Sequence, residues 1–244
     1  MNVLERALLE KAGHEHGWEH VIESREDVVC LASARHRARA RITPAAGGGW
    51  CIALPGGRLT RELARSVPVE SADPGRFVVA YTDALTRLLH RAAALAQSLP
   101  DHAVARFRER LVQTLADIPV SGTEVERLVR QRVGQDAFRE ALLDYWGGAC
   151  AVTGLALPEV LRASHAKPWS ACDSDEERLD VFNGFLLVAN LDALFDRGLI
   201  GFADSGAMRF SPRLSPRQRA QLRLESTLQL RWLAEEHLPY LGFI

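Results

Sequence analysis

Four polar side chains in the C-terminal half, His165, Asn183, Asp192 and Asp196, follow one another in an order that can hydrolyse a phosphodiester. That reaction needs a base to take a proton from water and a group that holds the base in orientation. It also needs oxygen ligands for a hard cation that neutralises charge developing at phosphorus. His165 is the sole histidine between His102 and His237, so it is the obvious base for work near neutral pH in this stretch. Asn183 is of the type that orients such a base, and the two aspartates are of the type that binds a cation. Oxygen ligands beside a lone neutral histidine favour magnesium or manganese, with zinc and nickel as alternatives.

Elements must bring these side chains together. Residues 161–166 read as an extended segment that carries His165 and ends at Pro168, and a short strand is expected before it over 149–153. Residues 183–188 are an apolar run, although Asn183-Gly184 alone is also a turn signal. Residues 191–196 read as one or two helical turns stopped by Arg197-Gly198. Asp192 and Asp196 then stand at i and i+4 on one helix face, where both can reach one ion. Upstream, Thr123 with Glu126 has the form of a capping box, and the helix it opens is expected to break near Gly134 before resuming through Phe138, Leu142 and Tyr145. Ile118-Pro119-Val120-Ser121-Gly122-Thr123 reads as a linker, which divides the chain into domains 1–117 and 118–244.

The first domain has an α+β pattern: a helix over 3–11, extended segments over 20–31 and 34–43, and a Gly47-Gly48-Gly49 turn into 50–54. Three short strands with a hairpin are expected. A helix over 60–66, an extended piece over 77–81 and a long helix over 82–98 follow, the last with Leu85, Leu88, Leu89, Ala92 and Leu95 at core-facing spacing. A further helix is expected over 103–115. Arg35, Arg37, Arg39 and Arg41 alternate with small residues and His36, so a strand there would put four guanidinium groups on one face. Such a stripe could track DNA phosphates, or be an exposed strand face paired with acids. Trp18, Trp50 and Tyr81 are candidates for a pocket that takes an unstacked base, or for core positions.

Composition bounds the answer further. With 47% hydrophobic residues in 244 there is ample material for a core, and the formal net charge of −1 gives no global sign of a polyanionic partner. No run approaches a membrane span and no apolar signal core opens the chain, so no membrane partner and a cytoplasmic location are expected. Cys30, Cys51, Cys150 and Cys172 form no C-x-x-C pair, which argues against a zinc ribbon or a disulfide framework. Lys11 and Lys167 are the sole lysines and neither sits in a phosphate-binding loop motif; zinc-protease, serine-hydrolase and zinc-deaminase motifs are absent as well. The run Asp173-Ser174-Asp175-Glu176-Glu177 reads as a solvated loop that would repel DNA unless turned away, and acids slightly outnumber basic residues from Ser121 to Ala220, so any binding face there must come from segregated charges such as Arg130, Arg132, Lys167 and Arg197.

The sequence from Cys150-Ala151-Val152-Thr153-Gly154 through Ala163-Ser164-His165-Ala166-Lys167-Pro168-Trp169 to Asn183-Gly184 and Phe195-Asp196-Arg197-Gly198 resembles the HNH endonuclease family, in the branch of restriction endonucleases. The resemblance implies an α+β chain whose C-terminal domain is a ββα-metal nuclease with flanking helices. It makes His165 the general base and Asn183 the residue that fixes the loop orienting it. Asp192 falls where the family has a metal ligand, and Asp196 where a second ligand or a phosphate-contacting residue sits. Many members have Asp or His before the base, whereas this chain has Ser164, so Asp173, Asp175 or Asp180 becomes an alternative ligand. Many also have paired C-x-x-C zinc knuckles, which this chain lacks, so no structural zinc is expected. The implied partner is double-stranded DNA, the implied role restriction of foreign or modified DNA, and a homodimer would suit cleavage of both strands. Two other readings are a catalytically silent DNA-binding or sensor module, and a nuclease controlled by a protein or small-molecule signal on the N-terminal domain.

Overall fold

The computed structural model describes residues 1–68, 73–117 and 122–242. The chain is α+β and divides into two compact units, Met1–Gln97 and Ser98–Ile244.

In the first unit, α1 (Val3–Glu15) opens on a capping box between Asn2 and Glu5. It is followed by β1 (His20–Arg25), β2 (Val28–Ala32), β3 (Arg39–Pro44), β4 (Trp50–Ala53), α2 (Arg58–Ser66), β5 (Arg76–Val79) and α3 (Thr82–Ser98). The strands form one antiparallel sheet in sequence order, with four strands where three were expected over residues 20–54 and a fifth at the extended piece expected over 77–81. A two-residue turn at Glu26-Asp27 folds the 20–31 stretch back on itself, and residues 76–79 add the fifth strand. Val29, Leu31, Ala40, Ile42, Ile52, Phe77 and Val79 are buried at alternate positions, the mark of a sheet with one core face. The predicted face of α3 is buried too. Trp18 is fully enclosed, its indole N–H donating to the Leu89 carbonyl at 2.9 Å, which assigns it to the core.

The second unit begins with α4 (Pro100–Ala116) and α5 (Thr123–Tyr145), which pack on each other. Arg106 and Arg110 of α4 reach Glu140 of α5, Arg110 with both guanidinium nitrogens at 2.9 and 3.1 Å. This packing places residues 98–117 with the second unit, not with 1–97; residues 118–121 of the expected linker lie outside the described residues. Then come β6 (Leu161–His165), α6 (Asp175–Arg178), β7 (Gly184–Val188), α7 (Ala189–Phe195), β8 (Ile200–Phe202), β9 (Met208–Phe210), α8 (Pro216–Gln221) and α9 (Leu238–Leu241). β6 pairs with β7 and β8 with β9, both antiparallel.

Three local expectations are corrected. α5 runs unbroken through Gly134, and its N-cap is Gly122, with Thr123 already the first helical residue. Residues 149–153 form a turn where a strand was expected, because the Ala151 N–H bonds the Leu186 carbonyl at 2.7 Å and its own carbonyl accepts from Arg231 at 2.8 Å, outside any ladder. Extended structure over 34–43 is confined to β3, so Arg35 and Arg37 lie outside the sheet. Among the described residues no helix is long and apolar enough to cross a membrane.

Candidate active site

β6 and β7 are the base of the site. Their register pairs Ser164 with Phe185 and His165 with Gly184, so His165 is the last residue of its strand before the 166–183 loop. Every residue of β7 is buried, which fixes the hairpin in the core, and α5 and α7 each pack on both strands.

The His165 ring is held on three sides. Its Nε2 lies 2.8 Å from the Arg178 carbonyl, which can only accept, so the proton of the neutral ring sits on Nε2 and Nδ1 keeps its lone pair. Phe138 of α5 stacks on it with ring centroids 3.7 Å apart and planes 15° from parallel. Trp169 meets it edge-on at 5.7 Å. Burial pushes its pKa below the ordinary 6.5, opposed by the Arg178 hydrogen bond, so the ring is an unprotonated base at neutral pH.

Two glycines make these contacts. A Cβ on Gly184 would fall 2.6 Å from both the Phe138 ring and the Ser164 carbonyl, and one on Gly134 would fall 2.3 Å from the Trp169 ring. Gly184 is extended, with φ −176°, so space and not backbone conformation demands glycine there; it opens a strand, not a turn. Gly134, expected as a helix break, is a seat for an indole.

Asn183 is fully buried, and its side chain spans the loop. Its Oδ1 accepts from the Lys167 N–H at 2.7 Å, and its Nδ2 donates to the Glu177 carbonyl at 3.0 Å. It thus ties both ends of the loop together one residue from the Arg178 carbonyl that holds His165. The Arg178 side chain closes the same loop, donating to the carbonyls of Trp169 and Cys172. Phe138 and Arg178 escape a reading by residue type, since an apolar helix position and a loop arginine carry no chemical signature of their own.

On the other side of the hairpin, Ser164 is 2% exposed and its hydroxyl donates to Asp192 Oδ1 at 2.6 Å. The residue before His165 therefore contacts the acid four positions ahead of Asp196. Asp196 is the C-cap of α7 with helical dihedrals, its N–H bonded to the Asp192 carbonyl. Burial, and then the Asp192 charge, raise the Asp196 pKa, with Arg197 opposing. Two carboxylates that repel each other are a donor set a hard cation relieves, so the pair fits one with water completing its shell. Among the described residues no three His, Cys, Asp or Glu side chains converge as a fuller metal cluster.

Residues 150–203 match the HNH endonuclease family. A comparison with curated proteins finds no match to the chain. The C-terminal half therefore carries an HNH domain, a type found in nucleases that act on nucleic acid, and nucleases of this family generally use a divalent metal ion. The matched segment holds His165, Asn183, Asp192 and Asp196, while Phe138 and Gly134 of α5 lie outside it.

Ion pairs line the HNH domain. The acidic run is bound, not merely solvated: Asp175 pairs with Arg130 and Arg178, Glu176 with Arg108 at 2.5 Å, and Glu177 with Lys167 at 2.6 Å. The Lys167 side chain is only 11% exposed and also lies 3.5 Å from Asp173. Arg132 and Arg197 are exposed, Arg197 donating to the Ala193 carbonyl at 3.0 Å. In the first unit Arg35, Arg37, Arg39 and Arg41 are all exposed. Arg35 pairs with Glu19 at 3.1 Å and Arg41 lies 4.0 Å from Glu23. Arg39 and Arg41 border a cavity of about 440 Å³ with Glu23 and Cys30.

Proposed function

We propose that this chain is a metal-dependent endonuclease that hydrolyses phosphodiester bonds in double-stranded DNA, in the role of restricting foreign or modified DNA. The observation that carries the reading is the orientation of His165, whose Nε2–H is committed to the Arg178 carbonyl while Nδ1 is left to accept. In this mechanism a water on Nδ1 gives its proton to the ring as its oxygen attacks phosphorus opposite the leaving 3′-oxygen. Asn183 and Arg178 keep the ring in that orientation by holding the 166–183 loop. Asp192, steadied by Ser164, and Asp196 would hold magnesium or manganese, with zinc or nickel as alternatives, which supplies charge neutralisation at the phosphoryl group and leaving oxygen. The exposed Arg132 and Arg197 would supply phosphate contacts in this half, and the exposed arginines of the first unit, Arg37 and Arg39 foremost, would serve target binding. Arg130 and Lys167, engaged by acids, act on DNA only if those pairs open. A homodimer would bring two such sites to the two strands.

The test is cleavage of plasmid DNA and of naturally modified phage DNA by wild type and His165→Ala, each with magnesium, manganese or EDTA. Cleavage that needs both metal and His165 is expected. Binding without cleavage in every condition would instead favour a silent DNA-binding module, and cleavage appearing only with an added factor would favour control through the first unit.

A further inference from the structure

We propose that the C-terminal segment 235–241 braces the His165 loop, with Tyr240 as a positioning residue for the base; this rests on the nuclease reading above. The segment lies outside the family match, yet it grips the chain on both sides of Asn183. The Tyr240 hydroxyl donates to Asp180 Oδ2 at 3.0 Å. The other oxygen of Asp180 accepts from the Phe182 N–H at 2.9 Å and so caps the 3₁₀ turn Val181–Asn183. Three residues before Tyr240, the fully buried His237 lies parallel to Phe185, with centroids 5.7 Å apart, and edge-on to Phe182 at 5.1 Å. Residues 180, 182 and 185 are thereby fixed from the C-terminal side.

Asn183 is the last residue of the turn so held, and its amide sets the Glu177 carbonyl, adjacent to the Arg178 carbonyl that receives the His165 proton. The interactions run unbroken from Tyr240 through Asp180, Asn183 and residues 177–178 to the ring. A phenol bonded to a carboxylate is a charge-assisted contact, stronger than a neutral one, which suits a brace. Burial and the neighbouring Asp180 charge hold the phenol well above its ordinary pKa, so it stays a donor.

Tyr240→Phe removes the hydroxyl and keeps the ring. Nitrogen-15 NMR of the full chain would follow the His165 Nε2–H and its hydrogen exchange, alongside kcat and KM for plasmid cleavage. Exchange about tenfold faster is expected, with kcat lowered by about the same factor and KM unchanged within about twofold. Asp180→Asn, which keeps an oxygen for the Phe182 N–H, should behave alike, and the double variant should be no worse than either alone. Unchanged exchange in both single variants, or faster exchange with unchanged kcat, would overturn the brace. Exchange is read without cleavage, so an inactive wild type would refute the nuclease reading while the NMR still decides whether Tyr240 fixes the ring. If Tyr240→Phe does not fold, Asp180→Asn carries the test alone.

Discussion

At the scale of single residues, the site is organised around which nitrogen of His165 carries a proton. With its folded pKa below 6.5, the ring is a competent base down to that lowered value. The acid limb of kcat/KM should therefore fall below pH 6.5; a limb at or above 6.5 would show that a different group takes the proton. Stability follows the same sign. The unfolded ring titrates near 6.5 and the folded one lower, so between those values the unfolded chain binds more protons. The stability supplied by the neutral ring is complete above 6.5 and declines as pH falls toward the folded value, a decline that His165→Gln should remove from urea titrations across that window. His165, Asn183, Asp192 and Asp196 stand out in the sequence by type and order, because base, amide and carboxylate each announce a chemistry, and their roles are what the cleavage and pH experiments test. Ser164 read only as a missing ligand; that its hydroxyl holds Asp192 depends on β6 and α7 packing together, which no local pattern encodes.

At the scale of elements, the hairpin and α7 could be read from apolar runs and stop signals, whereas α5 was misjudged where it matters. Glycine costs a helix interior about 1 kcal/mol relative to alanine, so a break at Gly134 was the sound local inference. The cost is accepted because Trp169 lies against that backbone and then against His165. Gly134→Ala should thus destabilise despite its better helix propensity, since overpacking costs about 1–3 kcal/mol and outweighs the gain. Equilibrium urea unfolding would measure this, and Trp169→Phe in the same chain should recover part of the loss. A stabilised Gly134→Ala would mean that the indole does not need the seat. The strand over 149–153 failed for a related reason: backbone groups distant in sequence, at Leu186 and Arg231, took up the hydrogen bonds of Ala151.

Across the molecule, the sequence offers a linker signal at 118–123, whereas the division into compact units falls after Gln97, since the assignment of residues 98–117 depends on α4 packing against α5. Charge segregation sets the prediction here. Arg37 and Arg39 are exposed without acids bound to them among the described residues, unlike Arg35 with Glu19. Replacing both by alanine should weaken DNA binding and flatten the dependence of log K on log salt by roughly 1.8, about 0.9 for each phosphate that is no longer neutralised. Arg35→Ala should change it less, and fluorescence anisotropy across salt concentrations would separate the two.

Arg231 gives the fold an order in time. Its guanidinium donates to the carbonyls of Trp146 at 2.5 Å and Ala149 at 3.1 Å, and its backbone N–H to that of Ala151. The turn that leads into the HNH segment is thus fastened by a residue some eighty positions later. A ribosome must deliver that arginine before the turn is secured. A nascent or truncated fragment that stops short of residue 231 carries His165, Asn183, Asp192 and Asp196 without that fastening of the turn.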